Sequence, residues 1–278
     1  MTHYPSTRPE CPIITVANHK GGCGKTTTIV NLAAEFGKMG RKVLVIDLDP
    51  QGTASKHIAL PGSLDRDIYV KQVLTDPENI GLVIKSIHEN THFENVSLIA
   101  ATSQKEQHGG LLDIESRLLN DEVTPASMLS YATNTLSKAF DIILIDTPPE
   151  LNIFNKNAMM SATHYILPIN GESIYDLYGG NDLQTYVNKL KRGNPDLSFL
   201  GVLVVRSKKD TDMGKVIPDL ATSIFNKIID IRIPDSTAVS KSAYSNKAVS
   251  DMGKTYPAYD SYQLLAKHIA KEHLNWVK

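Results

Sequence analysis

The sequence predicts an α/β fold: a single doubly wound, mostly parallel sheet with helices on both faces. Short apolar runs rich in β-branched residues, such as Ile13-Ile14-Thr15-Val16 and Ile142-Ile143-Leu144-Ile145, alternate with longer segments of helical period. That alternation is the pattern of strands buried on both faces between crossover helices. A glycine-rich turn joins the first such run to the first helical segment. At 278 residues and 41% hydrophobic composition, the chain can bury one large core, without need of a second domain.

The elements follow in order. Residues 12–17 read as the first strand and 28–39 as the first helix. The run 43–46 is a second strand, ending in Asp47. Residues 65–90 carry mostly helical patterning, broken at Asp76-Pro77, and 96–101 reads as a strand. Helical patterns follow at 109–119 and 125–140. The strand 142–145 ends in Asp146 and leads to a helix over 151–162, a strand over 165–169 and a helix over 177–191. A strand at 199–205, a helix at 216–225, a last strand at 228–233 and a closing helix at 262–277 complete the chain. There is no internal repeat and no low-complexity linker.

The turn itself, Asn18-His19-Lys20-Gly21-Gly22-Cys23-Gly24-Lys25-Thr26-Thr27-Thr28, combines small residues with two lysines and a hydroxyl. It reads as a cradle for a nucleoside triphosphate at a helix N-terminus, where free backbone amides and the helix dipole favour phosphate. Gly21, Gly22 and Gly24 let backbone N–H groups approach phosphate oxygens. Lys25 supplies a point charge for the β and γ phosphates, and Thr26 a hydroxyl for magnesium. Cys23, at the variable position, and Thr27 complete the loop. The ordinary pattern would place a glycine five residues before Gly24; here that position is His19, and a second lysine, Lys20, follows it. The strand ends Asp47 and Asp146 fall at the carboxyl edge of a parallel sheet, where ligands bind in open α/β folds. Both are placed to hold water on magnesium. Asp49 shares a face with Asp47 while the strand lasts, which makes it the candidate to orient an attacking water.

These motifs support a resemblance. Residues 20–27, KGGCGKTT, resemble the deviant Walker A motif of the ParA/MinD family of ATPases, 47–52 (DLDPQG) its second acidic motif, and 142–149 its Walker B. The similarity runs from about Pro12 to the last helix, and the DLDPQG form resembles ParA and Soj-like partition proteins more than MinD. The resemblance implies an ATPase using ATP and Mg2+, with Lys20, Lys25 and Asp49 as catalytic residues and Lys20 reaching the nucleotide of a second copy. It also implies an ATP-dependent homodimer that binds DNA without sequence preference, a ParB-like centromere-binding partner, and a cytoplasmic, nucleoid-associated protein. On this reading residues 1–11 are a flexible segment and 12–278 the ATPase domain, with no room for an N-terminal helix-turn-helix. Pro234 and Asp235, at the end of the last expected strand, and Arg206 are candidates for base contact; a plain turn closed by Pro and Asp is the alternative.

Net charge is only −1, so any DNA contact must be local. Lys208, Lys209, Lys215, Lys241 and Lys247 are the candidates, although Asp210 and Ala238 stand where Soj-like relatives often carry arginine. A MinD-like positioning protein, acting at a membrane surface or on a protein cargo, is the alternative, with the closing segment that ends Leu274-Asn275-Trp276-Val277-Lys278 as its membrane candidate. No segment is apolar for long enough to span a membrane, and 1–10 is polar with no secretory core. Cys11 and Cys23 flank the first strand beyond disulfide reach. Cys23 reads as a packing residue, or as a thiol made reactive by neighbouring amides. The absence of Cys-x-x-Cys argues against a metal-cluster carrier.

Overall fold

Along the first strand, Ile13 enters one hydrophobic core while Ile14 and Val16 enter another, and Leu44 and Ile46 part from Val43 and Val45 in the same way. Strands covered on both faces have no polar side to show, hence their continuous apolar runs. The structure, a computed structural model, describes residues 9–64, 68–101, 111 and 127–276. Its strands are β1 (Ile13–Val16), β2 (Val43–Asp47), β3 (Ile87–His88), β4 (Val96–Ile99), β5 (Ile142–Asp146), β6 (His164–Asn170) and β7 (Ser198–Val205). They form one sheet in the order β3-β4-β2-β5-β1-β6-β7, parallel except for β3 against β4.

Helices α1 (Lys25–Lys38) and α2 (Thr53–Ile58) share one face with α9 (Thr237–Tyr244) and α10 (Ser261–Glu272). The other face carries α3 (Val70–Thr75), α4 (Ile80–Lys85), α5 (Met128–Leu136), α6 (Ile153–Ser161), α7 (Ile174–Leu190) and α8 (Asp212–Phe225). This is the doubly wound architecture expected. Beyond α10 the chain remains packed: Trp276 meets Phe36 of α1 edge-on at 5.5 Å, and the Arg41 guanidinium lies 4.6 Å from the Trp276 ring centre. The apolar face of the closing helix, with Leu265, Ala266 and Ile269, is buried. Among the described residues no helix is long and apolar enough to cross a membrane.

Several expectations need correction. Residues 228–233 do not form a strand; they touch β7 only through isolated bridges at Ile228 and beyond at Pro234. Ile229 N donates to the Val202 carbonyl and Ile233 N to the Val204 carbonyl, so four residues of advance on one side match two on the other. The surplus bows out and breaks the ladder. Within 65–90 the helical reading holds for α3 and α4, but Ile87 and His88 form the antiparallel edge strand. Helices α7 and α8 begin at Ile174 and Asp212, earlier than their apolar period suggests; Thr211 caps α8 by accepting from Gly214 N at 3.0 Å. Helices α2 and α9, whose sequences have weak apolar periods, were not expected. The helix expected over 109–119 lies outside the described residues apart from the buried Leu111, as does the start of 125–140. Of the N-terminal segment 1–11, Glu10 N donates to Ser137 Oγ and Cys11 is buried, while 1–8 lie outside the described residues.

One close approach positions the functional end of the sheet. A methyl group at Gly179 of α7 would stand 2.9 Å from Asn18 Oδ1 and 3.1 Å from the His19 carbonyl oxygen. Asn18 Nδ2 in turn donates to the Pro168 carbonyl at 2.8 Å and the Asp176 carbonyl at 3.3 Å. Glycine thus lets α7 lie directly on the start of the turn after β1. Gly179→Ala is expected to lose about 1–3 kcal/mol through overpacking, read as a lower urea midpoint; an unchanged midpoint would show that α7 is not seated there.

Candidate nucleotide-binding site

The turn between β1 and α1 is held open by left-handed glycines. Gly22 lies at φ 77° and Gly24 at φ 84°, conformations that a side chain would strain. Gly24 occupies the N-cap of α1 with no side-chain cap, so the first-turn amides stay free for an anion. A Cβ at Gly21 or Gly22 would meet nothing within 4 Å. The backbone therefore encloses a vacant cradle of phosphate size.

Lys25 is 7% exposed, and its Nζ donates to the Lys20 carbonyl at 2.8 Å across the turn. Cys23 is buried beneath the loop, its thiol donating to the same carbonyl at 3.1 Å. Burial pushes that thiol up to about 11 despite the nearby Lys25 charge, so it stays protonated at neutral pH and packs rather than reacts.

Two carboxylates stand side by side where β2 meets β5, since Asp47 and Asp146 are register partners. Thr26 Oγ1 donates to Asp146 Oδ2 at 2.8 Å, while Asp146 Oδ1 is buried without a partner. Asp47 has both oxygens engaged: Oδ2 accepts from Ser55 N (2.8 Å) and Ser55 Oγ (2.6 Å), and Oδ1 accepts from Asp49 N (3.0 Å). Burial raises Asp47 to about 6 against the pull of these donors, and it raises Asp146 well above the carboxylate range, with the Asp47 charge adding to the rise. A divalent cation would offset both penalties. The orphaned Asp146 oxygen and the Thr26 hydroxyl are hard oxygen donors of the kind that hold Mg2+ or its bound water. Asp47, fully hydrogen-bonded, is built to fix Asp49 and the start of α2.

A cleft of about 400 Å³ opens beside the turn, within the usual range of small-molecule sites. Of the residues singled out from sequence, Gly21, Gly22, Gly24, Lys25, Thr26, Thr27, Asp49, Arg206, Pro234 and Asp235 all line it. Arg206 is held at φ 51°, rare for a residue with a side chain, by bonds on either side: Ser207 N to the Ile233 carbonyl and Asp235 N to the Ser207 carbonyl. Gln51, Pro149, Val239, Ser240 and Tyr262 also line the cleft and carry no motif that would have exposed them. Lys20 and Cys23 do not line it. The Lys20 ammonium instead lies 5.8 Å from the ring centre of Tyr175 on α7. A larger cavity of about 600 Å³, lined by Cys11, His164 and His273, lies at the amino ends of the strands, away from every phosphate donor described.

The five lysines considered for DNA are not one patch. Lys215 is on α8, on the opposite side of the sheet from Lys241 of α9 and the neighbouring Lys247. Lys208 and Lys209 line an open groove with Arg232, and Lys208 pairs with Asp235 at 3.5 Å.

A glycine cradle at a helix N-terminus, a lysine within it and a threonine–aspartate pair at the sheet edge define a P-loop nucleoside triphosphatase. A family model described as an AAA domain matches residues 11–199. The sporulation initiation inhibitor protein Soj of Bacillus subtilis is 30% identical over 260 residues, covering 93% of this chain and 98% of that protein. Cobyrinic acid a,c-diamide synthase from Mycobacterium smegmatis, solved with an ATP analogue and magnesium, is 25% identical with a TM-score of 0.75 over 95% of this chain and 96% of that one. Pyrococcus horikoshii MinD, solved with Mg-ADP, shares the fold at 24% identity and a TM-score of 0.74, covering 96% of this chain and 99% of that one. The chain belongs to the ParA/Soj family of ATPases, within the ParA/MinD superfamily. It is an ATPase whose cofactors are ATP and Mg2+.

Proposed function

We propose that this chain is an ATP-switched DNA partition protein. ATP joins two copies, the joined form binds DNA without sequence preference, and a ParB-like protein bound to the cargo stimulates hydrolysis and release. Lys25 and the turn amides hold the β and γ phosphates, Thr26 and Asp146 hold magnesium with Asp47 behind them, and Asp49 orients water. Arg206, Pro234 and Asp235 flank the base. The chain acts in the cytoplasm on the nucleoid.

The observation that carries this reading is the outward direction of Lys20. Its backbone belongs to the phosphate loop, yet its ammonium leaves its own cleft for Tyr175. Around it, Ile174, Tyr175 and Tyr178 are exposed at 36%, 66% and 59%. An apolar patch beside a charged loop is suited to a second copy whose nucleotide accepts the lysine. The membrane-positioning alternative has less support, because the tail it needs is packed on α1 as far as Trp276.

Light scattering with ATP tests the trans lysine. Wild-type protein is expected at twice the monomer mass with ATP and at monomer mass with ADP, whereas Lys20→Ala remains monomeric. A Lys20→Ala protein that doubles its mass and hydrolyses ATP normally would contradict the assignment.

A further inference from the structure

Residues 50–64 and 236–250 are far apart in the chain, contain no Asp or Glu, and carry Lys56, Lys241 and Lys247. The fold joins them. Asn246 Nδ2 donates to the Lys56 carbonyl at 3.0 Å, and Nε2 of the buried His57 lies 3.0 Å from the Lys247 carbonyl. Lys56 Nζ donates to the Gln51 carbonyl and Lys241 Nζ to the Tyr256 hydroxyl, both neutral partners. Among the described residues no ion pair holds any of these lysines, unlike Lys208 with its Asp235. Their charge is uncompensated. Tyr244 stands three residues beyond Lys241 on α9, so the two share a helix face, and it is 94% exposed. A whole aromatic ring left in water between lysines calls for a partner with both negative charge and flat apolar surface.

We propose that α2 and the end of α9 form one face for duplex DNA, with Lys56, Lys241 and Lys247 on phosphates and Tyr244 against a sugar or base. The inference rests on the DNA reading above and deepens it: Lys56, from the segment that follows Asp49, and Tyr244 join a surface otherwise placed in the C-terminal half. Duplex DNA supplies both demanded chemistries, phosphate charge to the lysines and a stacking surface to the ring. Two copies joined by ATP double each contact, which lets a chain of near-zero net charge bind a polyanion.

The test is DNA affinity as a function of salt for the full chain with a non-hydrolysable ATP analogue, with molar mass measured alongside. Lys56→Gln should weaken binding and flatten the plot of log affinity against log salt by about 0.9 for each phosphate contact removed, two such contacts being lost per dimer. Tyr244→Ala should weaken binding about tenfold, the loss of one modest stacking contact, with an unchanged slope because no charge is removed. Tyr244→Phe should restore affinity. Wild-type affinity and slope in either Lys56→Gln or Tyr244→Ala, while the wild type binds DNA, overturns this face and leaves the DNA reading standing. A wild type that ignores DNA but sediments with anionic vesicles, and loses that on Tyr244→Ala, overturns both.

Discussion

Lys25→Ala is expected to lose hydrolysis almost completely, with turnover falling by at least about 10²–10³-fold, the cost of removing one preorganised charge from a transition state. The lysine is buried at the base of the cleft, with its ammonium fixed on the Lys20 carbonyl, and it is the one cation the turn points inward. Removing it takes away the charge that meets the β and γ phosphates and strips the Lys20 carbonyl of its donor. Thr26→Ala is expected to act on the same step through magnesium, since its hydroxyl is the donor to Asp146. Phosphate release at saturating ATP, measured beside equilibrium nucleotide binding, checks both. Turnover within a few-fold of wild type in Lys25→Ala would remove this loop from the chemistry.

Asp49→Ala is expected to separate binding from chemistry. Asp49 lines the cleft while its Oδ1 accepts from Gln51 N at 2.9 Å and its own amide is anchored on Asp47 Oδ1. It is held from both sides in a position to orient water, and it carries none of the phosphate-binding amides. The variant should bind ATP and reach dimer mass, yet hydrolyse about 10²–10⁴-fold more slowly. A variant that stays monomeric with ATP would mean that Asp49 holds the nucleotide or the interface instead.

The phosphate side of the site was legible because its chemistry is local. Gly22, Gly24, Lys25 and Thr26 are adjacent in the chain, and the demands of an anion at a helix N-terminus dictate their types. The apolar runs ending in Asp47 and Asp146 were legible for the same reason: a strand buried on both faces has little freedom in composition. The base side was only partly legible. Arg206, Pro234 and Asp235 do line the cleft, but the segment leading to Pro234 looked like a strand, because apolar content does not reveal a bow of surplus residues. Asp47 was expected to face the metal directly; its engagement with Ser55 depends on α2, a short helix with no strong period. The scatter of Lys208 and Lys215 away from Lys241 and Lys247 depends on which side of the sheet each helix takes, and that is set by topology rather than by neighbouring residues.

The central claim is that ATP makes this chain a DNA-binding dimer, and a mobility assay with the Asp49→Ala protein tests it most directly. The variant is compared with ATP and with ADP, on two unrelated duplexes, over a range of salt. The account predicts a shift of both duplexes with ATP, none with ADP, and a steep loss as salt rises, since each neutralised phosphate releases counterion. Equal shifts with ATP and ADP, or no shift at low salt from a protein that light scattering finds dimeric, would contradict it.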